Sequence, residues 1–535
     1  MAATVSAPAA LALRGIVKSF GGRRVLDGAD LELGARARIG LIGANGSGKS
    51  TLLKMLSGAE VPDGGEVTLR KGAVVAHLPQ LVAGDERTVR DTIRAARPDV
   101  AAVEGELAQC EARLGDPALA ADLDRMGRVL ERHAELVERR LALGGGRLEG
   151  DAIRHLRDLG LGEHALDRPT ARLSGGQRKL VALAACLVRE PDVLLLDEPE
   201  SHLDVGRRRI LEELVSGFGG AVLAVSHDRW LLDETVTAIA ELEDGRIRMW
   251  PGTYSAYAVA RELELARRRQ QWVTQQGEIA RLEAAIRRFK DWANRVPDQR
   301  HIKQARNKQR QIDRMDKVDR PVLERRRMGL ELRSGARGGE RVVELRGVDF
   351  DPVLIDVSLT IMRGERVGVV GPNGAGKTVL ARLIAGELEP SDGERWAGPS
   401  IAFDHLTQTA AELPVETTPL DLVRAARPLT EGEAVALLIK FLFDYEQVRR
   451  PVGTMSGGER TRLRCLLLML SRANCLILDE PTNHLDIPAV EVLEGALEAY
   501  DGTVVAVSHD RYFLERIADR VIEVRDGEVR QIDGA

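Results

Sequence analysis

The chain has few cysteines and no long apolar run, and each of these absences argues against a class of protein. Its four cysteines stand far apart and form no CxxC pair: Cys110, Cys186, Cys465 and Cys475. A disulfide framework and a cysteine-bound metal cluster are therefore disfavoured, and a reducing, cytoplasmic setting fits best. No apolar run approaches the ~20 residues of a membrane-spanning helix. The opening MAATVSAPAA lacks the basic and apolar regions of a secretion signal.

The rest of the composition is ordinary for a globular protein. Aromatic residues make up 3% of the 535 positions, hydrophobic residues 44% and charged residues 30%. This balance argues against wholesale disorder. A chain of this length is too long for one core, so we expect two or three domains.

Two halves of the chain repeat each other. GANGSGKS at Gly43–Ser50 recurs 328 residues later as GPNGAGKT at Gly371–Thr378. SGGQ, LLLDEP and VSHDR each recur 282 residues later, as SGGE, LILDEP and VSHDR. The first half therefore holds 46 extra residues, which local matches on either side place at about 99–148. A break near GDPA at Gly115–Ala118 predicts a helical arm of two helices there.

A further segment with helical spacing separates the halves. Its apolar residues form two runs: Leu265, Trp272, Ile279, Leu282, Ile286 and Phe289, then Ile302, Ala305, Ile312 and Met315. The sequence VPD at Val296–Asp298 interrupts them, which predicts an antiparallel hairpin of two helices. The first helix is expected to run from about Tyr254 to Trp292 and to be about 58 Å long.

This hairpin segment carries most of the positive charge of the protein. From Arg261 to Arg333 there are 21 lysines and arginines against 11 carboxylates, a net charge of +10 in a chain whose net charge is −5. We therefore predict three units: a first domain over 1–250, a basic helical hairpin over 251–339 and a second domain over 340–535.

Each half contains a phosphate-binding loop of the pattern GxxxxGK[ST], between an apolar strand and a helix. The glycines let backbone N–H groups point at phosphate oxygens, next to a helix N-terminus. Lys49 and Lys377 are expected to reach the β- and γ-phosphates of ATP, and Ser50 and Thr378 to hold Mg²⁺. The candidate ATP-binding residues are Gly43, Asn45, Gly46, Gly48, Lys49, Ser50 and Thr51 in the first half, and Gly371, Asn373, Gly374, Gly376, Lys377 and Thr378 in the second.

An apolar strand that ends in two carboxylates follows in each half. Asp197 and Asp479 are candidate Mg²⁺ ligands. Glu198 and Glu480 come one residue later, where they are placed to deprotonate water in line with the γ-phosphate, as general bases.

A histidine follows a second apolar strand in each half, within the repeated VSHDR. His227 and His509 are candidate catalytic residues that sense the γ-phosphate; the alternative for either is a core or capping role. The order of P-loop, LSGGQ-type signature, Asp–Glu pair and histidine resembles the ATP-binding cassette (ABC) ATPases, over roughly 9–249 and 341–533.

The ABC resemblance implies an α/β fold: two P-loop ABC ATPase domains, here joined by an α-helical antiparallel hairpin linker. It implies a monomer whose halves pair head to tail, with each ATP between the P-loop of one half and the signature of the other. The signature residues are Ser174, Gly175, Gly176 and Gln177, and Ser456, Gly457, Gly458 and Glu459.

Two further pairs of residues are implied by the same resemblance. Gln80 and Gln408 share the 328 offset of the P-loops and are identified with the glutamines that contact ATP and Mg²⁺. Phe20 and Phe350 stand upstream of the P-loops, where an aromatic ring stacks on adenine; either ring could instead pack in the core.

A closer resemblance rests on DEPTNHLD, which ends at Asp486, together with the tandem cassettes and the charged hairpin. These features are similar to those of the ABC-F proteins. That subfamily implies a factor that binds the ribosome in its ATP-closed form, points its hairpin at P-site tRNA and the peptidyl transferase centre, and leaves on hydrolysis. Translation regulation and antibiotic resistance by ribosome protection both fit. The candidate RNA contacts are Arg300, Lys303, Arg306, Lys308, Arg310 and Arg314; a solvated helix face is the alternative.

The first half departs from the subfamily pattern, since DEPESHLD places Glu200 and Ser201 where Thr and Asn are expected. Glu200 either disfavours bound nucleotide and retunes that site, or faces solvent. Three other readings stay open: the tandem ATPase subunit of an ABC transporter, a DNA-repair ABC ATPase, and a ribosome-associated scaffold with poor hydrolysis. The transporter reading is disfavoured because a basic helical hairpin has no role in docking on membrane helices.

Overall fold

The computed structural model describes residues 9–116, 119, 122–295, 299–315, 339–407, 413–471, 473–483 and 485–532. The strands of the first half are β1 (Ala9–Phe20), β2 (Arg23–Gly34), β3 (Arg38–Ile42), β4 (Gly64–Leu69), β5 (Val75–Leu78), β6 (Val193–Asp197), β7 (Ala221–Val225), β8 (Ala238–Glu243) and β9 (Arg246–Pro251). Those of the second half are β10 (Arg341–Phe350), β11 (Leu354–Met362), β12 (Arg366–Val370), β13 (Asp392–Ala397), β14 (Phe403–Leu406), β15 (Cys475–Asp479), β16 (Thr503–Val507), β17 (Arg520–Arg525) and β18 (Glu528–Ile532).

The helices of the first half are α1 (Lys49–Leu56), α2 (Val89–Ala95), α3 (Pro98–Leu114), α4 (Leu123–Ala142), α5 (Leu148–Asp158), α6 (Gly175–Leu187), α7 (Val205–Gly217) and α8 (Arg229–Thr235). Between the halves lie α9 (Tyr254–Arg295) and α10 (Gln299–Asp313). The second half has α11 (Lys377–Ala385), α12 (Pro419–Ala426), α13 (Glu431–Lys440), α14 (Gly457–Leu470), α15 (Ile487–Glu498) and α16 (Arg511–Ile517).

Each half is built around a six-stranded sheet, with a separate three-stranded antiparallel sheet beside it. The strand orders are β5-β6-β7-β3-β8-β9 and β14-β15-β16-β12-β17-β18, with β2-β1-β4 and β11-β10-β13 as the smaller sheets. Only the last strand of each large sheet runs antiparallel to its neighbour. The expected α/β fold, repeated in the two halves, is confirmed.

The central strands explain why the motifs meet. All five residues of β6, β7, β15 and β16 are buried, as expected for parallel strands that are covered on both faces. Since the strands are parallel, their carboxyl ends lie at one edge of the sheet, which is where α/β proteins bind ligands. The P-loop follows β3, the Asp–Glu pair ends β6, and the histidine follows β7; the second half repeats this arrangement.

Glycine is required where the P-loop enters its helix. Gly48 and Gly376 precede α1 and α11 with φ of 105° and 102°, a left-handed conformation that favours glycine. A Cβ at either position would stand 2.6 Å from a valine methyl, of Val25 and Val353 respectively. Another residue there would both strain the backbone and clash.

The hairpin is held together by a short apolar seam. Leu282 and Ile286 of α9 pack with Ala305 and Ile312 of α10, which confirms the predicted helical hairpin. With 42 residues, α9 extends to Arg295, three residues past its expected end, and the predicted interruption at 296–298 lies outside the described residues. No helix in the described ranges is long and apolar enough to cross a membrane.

Candidate nucleotide sites

Each P-loop folds around its own lysine. Lys49 Nζ donates to the carbonyl oxygens of Gly43 and Ala44 at 2.7 and 3.0 Å. Lys377 Nζ donates to those of Gly371 and Pro372, both at 2.9 Å. Burial lowers the pKa of both ammonium groups, and nearby carboxylates oppose that shift. Each P-loop therefore encloses the ammonium group of its own lysine.

The hydroxyl after each lysine contacts the aspartate at the end of the neighbouring strand. Thr378 Oγ1 donates to Asp479 Oδ2 at 2.8 Å, and Ser50 hydrogen-bonds Asp197. Among the described residues, the second oxygen of each aspartate, Oδ1, is buried and accepts no hydrogen bond. Since a buried carboxylate oxygen needs a partner, this donor set fits a divalent cation such as Mg²⁺, which prefers oxygen ligands.

Each glutamate after the aspartate is held in an unusual backbone conformation. Glu198 and Glu480 have φ of 47° and 51°, in the left-handed region that non-glycine residues seldom adopt. Their backbone N–H groups donate to the carbonyl oxygens of Val225 and Val507, both at 2.8 Å, and these bonds fix the turn. Strain of this kind persists only where the surroundings enforce it and gathers at functional sites.

The histidines face these glutamates. His227 Nε2 lies 3.8 Å from Glu198 Oε1, and His509 Nε2 lies 3.5 Å from Glu480 Oε1. His509 Nε2 also contacts Asn373 Oδ1 of the second P-loop at 3.1 Å. The three motifs of each half therefore converge on one small region, as the sequence predicts.

Burial dominates the electrostatics of these groups. It raises the pKa of Glu480 to about 7, although the cations of Arg208 and Lys377 oppose the shift. It lowers the pKa of His227 to about 4 and of His509 to about 3. Both imidazoles are therefore neutral at physiological pH, and each can accept or donate a hydrogen bond.

The halves touch each other through the segments around these sites. The backbone N–H of Asn45, in the first P-loop, donates to Asp486 Oδ2 of the second half at 2.9 Å. Asn373 Nδ2, in the second P-loop, donates to the His202 carbonyl of the first half at 3.1 Å. A cleft of about 1160 Å³ lies beside the first P-loop and is also lined by Glu491 and Pro488 of the second half.

A buried ion pair reinforces this contact. Arg229 of α8 donates to both carboxylate oxygens of Glu494 in α15, at 3.2 and 2.5 Å. The Glu494 side chain is fully buried and also accepts from Arg516 at 2.9 Å. Charges buried this well need partners, so this pair opposes separation of the halves.

The signature residues cap the helices that follow them. Ser174 and Ser456 are the N-caps of α6 and α14, and each forms a reciprocal capping box with Gln177 or Glu459. Placement at helix N-termini orients backbone N–H groups outward, which suits an anionic ligand. That each signature completes the nucleotide site of the other half stays a prediction.

The remaining site residues are placed less uniformly. Gln80 follows β5 and is exposed, and its backbone carbonyl oxygen accepts from Lys179 Nζ at 3.0 Å. Gln408 lies outside the described residues. Phe20 is 48% exposed at the end of β1, whereas Phe350 is partly buried against the core of the second half. Of the two rings, Phe20 has the open face that stacking on adenine needs.

Glu200, which marks the departure of the first half from the subfamily pattern, does not face solvent. It is 7% exposed, accepts from Ser226 Oγ at 2.7 Å and from the backbone N–H of His227 at 3.0 Å. Of the two alternatives for Glu200, the one in which it faces solvent is wrong, because the side chain is directed to the residues that follow β7. In the second half Thr482 takes this position beside Ser508.

Lys179 is a site residue that the motif analysis missed. It is buried, and its Nζ donates to four oxygens: the carbonyls of Gln80, Asp197 and Glu198, and Ser201 Oγ, at distances between 2.5 and 3.3 Å. The 282-residue offset places Thr461 at its position in the second half. A comparison of the two halves for unmatched charges would have found it.

Replacing Glu200 with glutamine will stabilise the fold at pH 8 and leave it unchanged at pH 4.5. Burial raises the pKa of Glu200 from its ordinary 4.5 to about 7, so the folded state favours the neutral acid. The Glu200 carboxyl does not destabilise the fold below pH 4.5, its pKa in the unfolded chain. It destabilises the fold as the pH rises through about 7, its pKa in the folded state. The expected gain at pH 8 is about 3 kcal/mol, measured as a shift in the urea unfolding midpoint.

The exposed Glu213 of α7 provides the control, since Glu213→Gln removes a carboxylate without changing a buried group. We expect it to leave the midpoint unchanged at both pH values. A shift of equal size at pH 4.5 and pH 8 for Glu200→Gln would contradict the assignment of a buried, titrating carboxyl.

Two cassettes with P-loop, signature, Asp–Glu pair and histidine at one sheet edge define an ABC-type ATPase. A family model described as ABC transporter matches residues 26–201 and 354–483, and a second model with the same description matches residues 240–331. The chain belongs to the F subfamily of these ATPases, the ABC-F proteins, and is an ATP-binding, ATP-hydrolysing enzyme.

Three curated relatives are each 34% identical to this chain. They are the tylosin resistance ATP-binding protein TlrC of Streptomyces fradiae, over 97% of this chain and 98% of the relative; the energy-dependent translational throttle protein EttA of Escherichia coli, over 96% and 91%; and ABC transporter F family member 5 of Arabidopsis thaliana, over 96% and 75%.

Solved structures share the fold at lower identity. The archaeal ribosome recycling factor aABCE1, in complex with the ribosomal stalk protein aP1, gives a TM-score of 0.62 at 20% identity and covers 96% of this chain and 89% of that chain. The RNase-L Inhibitor gives 0.62 at 20% identity, over 97% and 90%. These likenesses establish the tandem arrangement of the cassettes.

Proposed function

We propose that this protein binds the ribosome in its ATP-closed form, places its basic hairpin near P-site tRNA and the peptidyl transferase centre, and leaves when ATP is hydrolysed. In this proposal it works in the cytoplasm as a translation regulator or a ribosome-protection resistance factor. The observation that carries the proposal is the cationic outer face of α10.

That face is built by the helical repeat. Ala305 and Ile312 point inward against α9, whereas Lys303, Arg306 and Arg310 are exposed on the other side. Arg314 is exposed one turn further on, and Lys308 is half-buried and donates to Gln311 Oε1 at 3.4 Å. The side chain of Arg300 lies outside the described residues. Exposed cations on a helix with a thin apolar seam suit phosphate groups, whose binding releases counterions.

This cationic face lies far enough from the cassettes to contact RNA that the cassettes themselves do not touch. The seam residue Leu282 stands 28 residues beyond Tyr254, where α9 begins, which is about 42 Å along a helix. Tyr254 and Tyr257 pack against Trp250 at the base, so the hairpin is anchored on the first cassette. The relative named a translational throttle protein supports a role in translation, and the one named a tylosin resistance protein supports a role in antibiotic resistance.

We propose the following roles at the nucleotide sites. Mg²⁺ would be held by Ser50 and Asp197 in one site and by Thr378 and Asp479 in the other, with Gln80 and Gln408 nearby, where it would offset charge on the β- and γ-phosphates. Glu198 and Glu480 serve as general bases, and His227 and His509 contact the γ-phosphate.

We also propose the domain boundaries. The first domain extends over about 1–250, the hairpin over 251–339 and the second domain over 340–535.

Co-sedimentation with bacterial ribosomes tests this function. The variant Glu198→Gln with Glu480→Gln is expected to pellet with ribosomes when ATP is present, and to pellet less as salt rises. Omitting ATP provides the control. Absence from the pellet under every condition would contradict the proposal, and recovery with membranes instead would favour the transporter reading.

A further inference from the structure

Arg208 connects the first half of the protein to the second nucleotide site. It lies in α7, four residues after Asp204, the N-cap of that helix. Its Nη1 donates to Asp228 Oδ2 at 2.8 Å and to the His509 carbonyl oxygen at 3.1 Å, and its Nε donates to the Leu203 carbonyl at 3.2 Å. One guanidinium therefore joins the segment after His227 to the backbone of His509.

The residue that Arg208 holds is itself central to the second site. His509 Nε2 contacts Asn373 Oδ1 of the P-loop at 3.1 Å and lies 3.5 Å from Glu480 Oε1. A shift of the His509 backbone would move the imidazole relative to both partners. Misplacement by about 1 Å at a reacting centre can cost 100-fold in rate, so the anchor of this backbone matters.

A second arginine of the first half supports the same segment. Arg229 lies 3.5 Å from Asp510, the residue after His509. Two arginines of the first half therefore contact two consecutive residues of the second half, His509 and Asp510. Both arginines are almost entirely buried, so their positions are fixed when the halves are together.

The first site has no equivalent of Arg208. The 282-residue offset places Val490 of α15 at that position, and Val490 is 3% exposed in the core of the second half. A valine cannot donate to the His227 backbone. The two sites therefore receive different support from the opposite half.

We propose that Arg208 is a positioning residue, supplied by the first half, that holds His509 in the geometry needed for ATP hydrolysis at the second site. Hydrolysis at the second site therefore depends on the position of the start of α7 relative to the second half. Closing the halves brings Arg208 to His509, so the second site is competent only when the halves are together.

The test measures hydrolysis at the second site alone. In a protein that carries Glu198→Gln, phosphate release in the first turnover is followed after rapid mixing over a series of ATP concentrations. Arg208→Ala is expected to lower the rate constant about 10-fold while the half-saturating ATP concentration stays within about twofold. Arg209→Ala, a neighbour on the exposed face of α7, is the matched control and should retain the full rate.

A cycle with His509 separates positioning from general stability. In the His509→Ala background, Arg208→Ala should cause no further loss, because the group that it positions is gone. Arg208→Lys keeps the charge but cannot reach both acceptors, so we expect a loss of about threefold; it also serves if Arg208→Ala does not fold. An unchanged rate in Arg208→Ala, or an equal loss with and without His509, would overturn the proposal.

Discussion

Replacing Glu198 and Glu480 with glutamine together will lower steady-state ATP turnover at least about 100-fold. Each glutamate stands at the end of a buried strand, one residue beyond the aspartate that fits Mg²⁺. Glutamine keeps the shape of the side chain but cannot take a proton from water. The loss should appear in kcat, with ATP affinity retained, because the P-loop lysines are untouched.

The geometry makes this loss larger than a generic active-site change would. Both glutamates are held at positive φ by a hydrogen bond to the adjacent strand, so the backbone does not adjust to recruit another base. Burial raises the pKa of Glu480 to about 7, close to the operating pH, where a general base is most effective. Phosphate release measures kcat, and equilibrium binding of a fluorescent ATP analogue measures the affinity for nucleotide.

The single variants supply the internal control. Glu198→Gln and Glu480→Gln are each expected to leave part of the turnover, in unequal shares. Glu200 and Lys179 occur only in the first half, and Arg208 of the first half holds the backbone of His509 in the second site. Turnover of the double variant equal to that of the unchanged protein would refute the role of both glutamates.

Much of this site could be predicted from local sequence. The apolar runs ARIGLI and LLLD are strands that end at Ile42 and Asp197, because apolar runs of this length between polar turns favour buried parallel strands. The P-loop glycines require φ values that other residues avoid. The repeat at a fixed offset then transfers each assignment from one half to the other, and in each half the Asp–Glu pair lies beside the histidine.

What could not be predicted depends on tertiary contacts. Arg208 and Val490 occupy equivalent positions in the two repeats, yet only packing of the halves shows that Arg208 reaches the carbonyl of His509. The sequence left open whether Glu200 affects the nucleotide site or faces solvent, and only the fold shows that its carboxylate accepts from Ser226. Phe350 packs against the core of the second half, whereas Phe20 is exposed. Periodicity and spacing do not report such contacts.

Reversing the charge of four hairpin residues will weaken ribosome binding about 100-fold or more at moderate salt. The set is Lys303, Arg306 and Arg310 of α10 and Arg314 just beyond its end, all of which are exposed. Each cation that contacts a phosphate contributes about 0.9 to the slope of log affinity against log salt, so replacement by glutamate should reduce that slope by about 3 to 4. The measurement is co-sedimentation of the ATP-bound Glu198→Gln/Glu480→Gln protein across a salt series.

The matched control reverses four exposed arginines on the cassettes, Arg154, Arg157, Arg525 and Arg530, which changes the net charge of the protein equally. If the hairpin acts through local contacts with RNA, this control keeps most of its affinity and its salt slope, because exposed charges more than a Debye length (about 10 Å) from the RNA are screened. Basal ATP turnover without ribosomes shows whether each variant folds. Equal losses in both sets would mean that net charge alone drives binding, and undiminished pelleting of the hairpin variant would contradict RNA contact by α10.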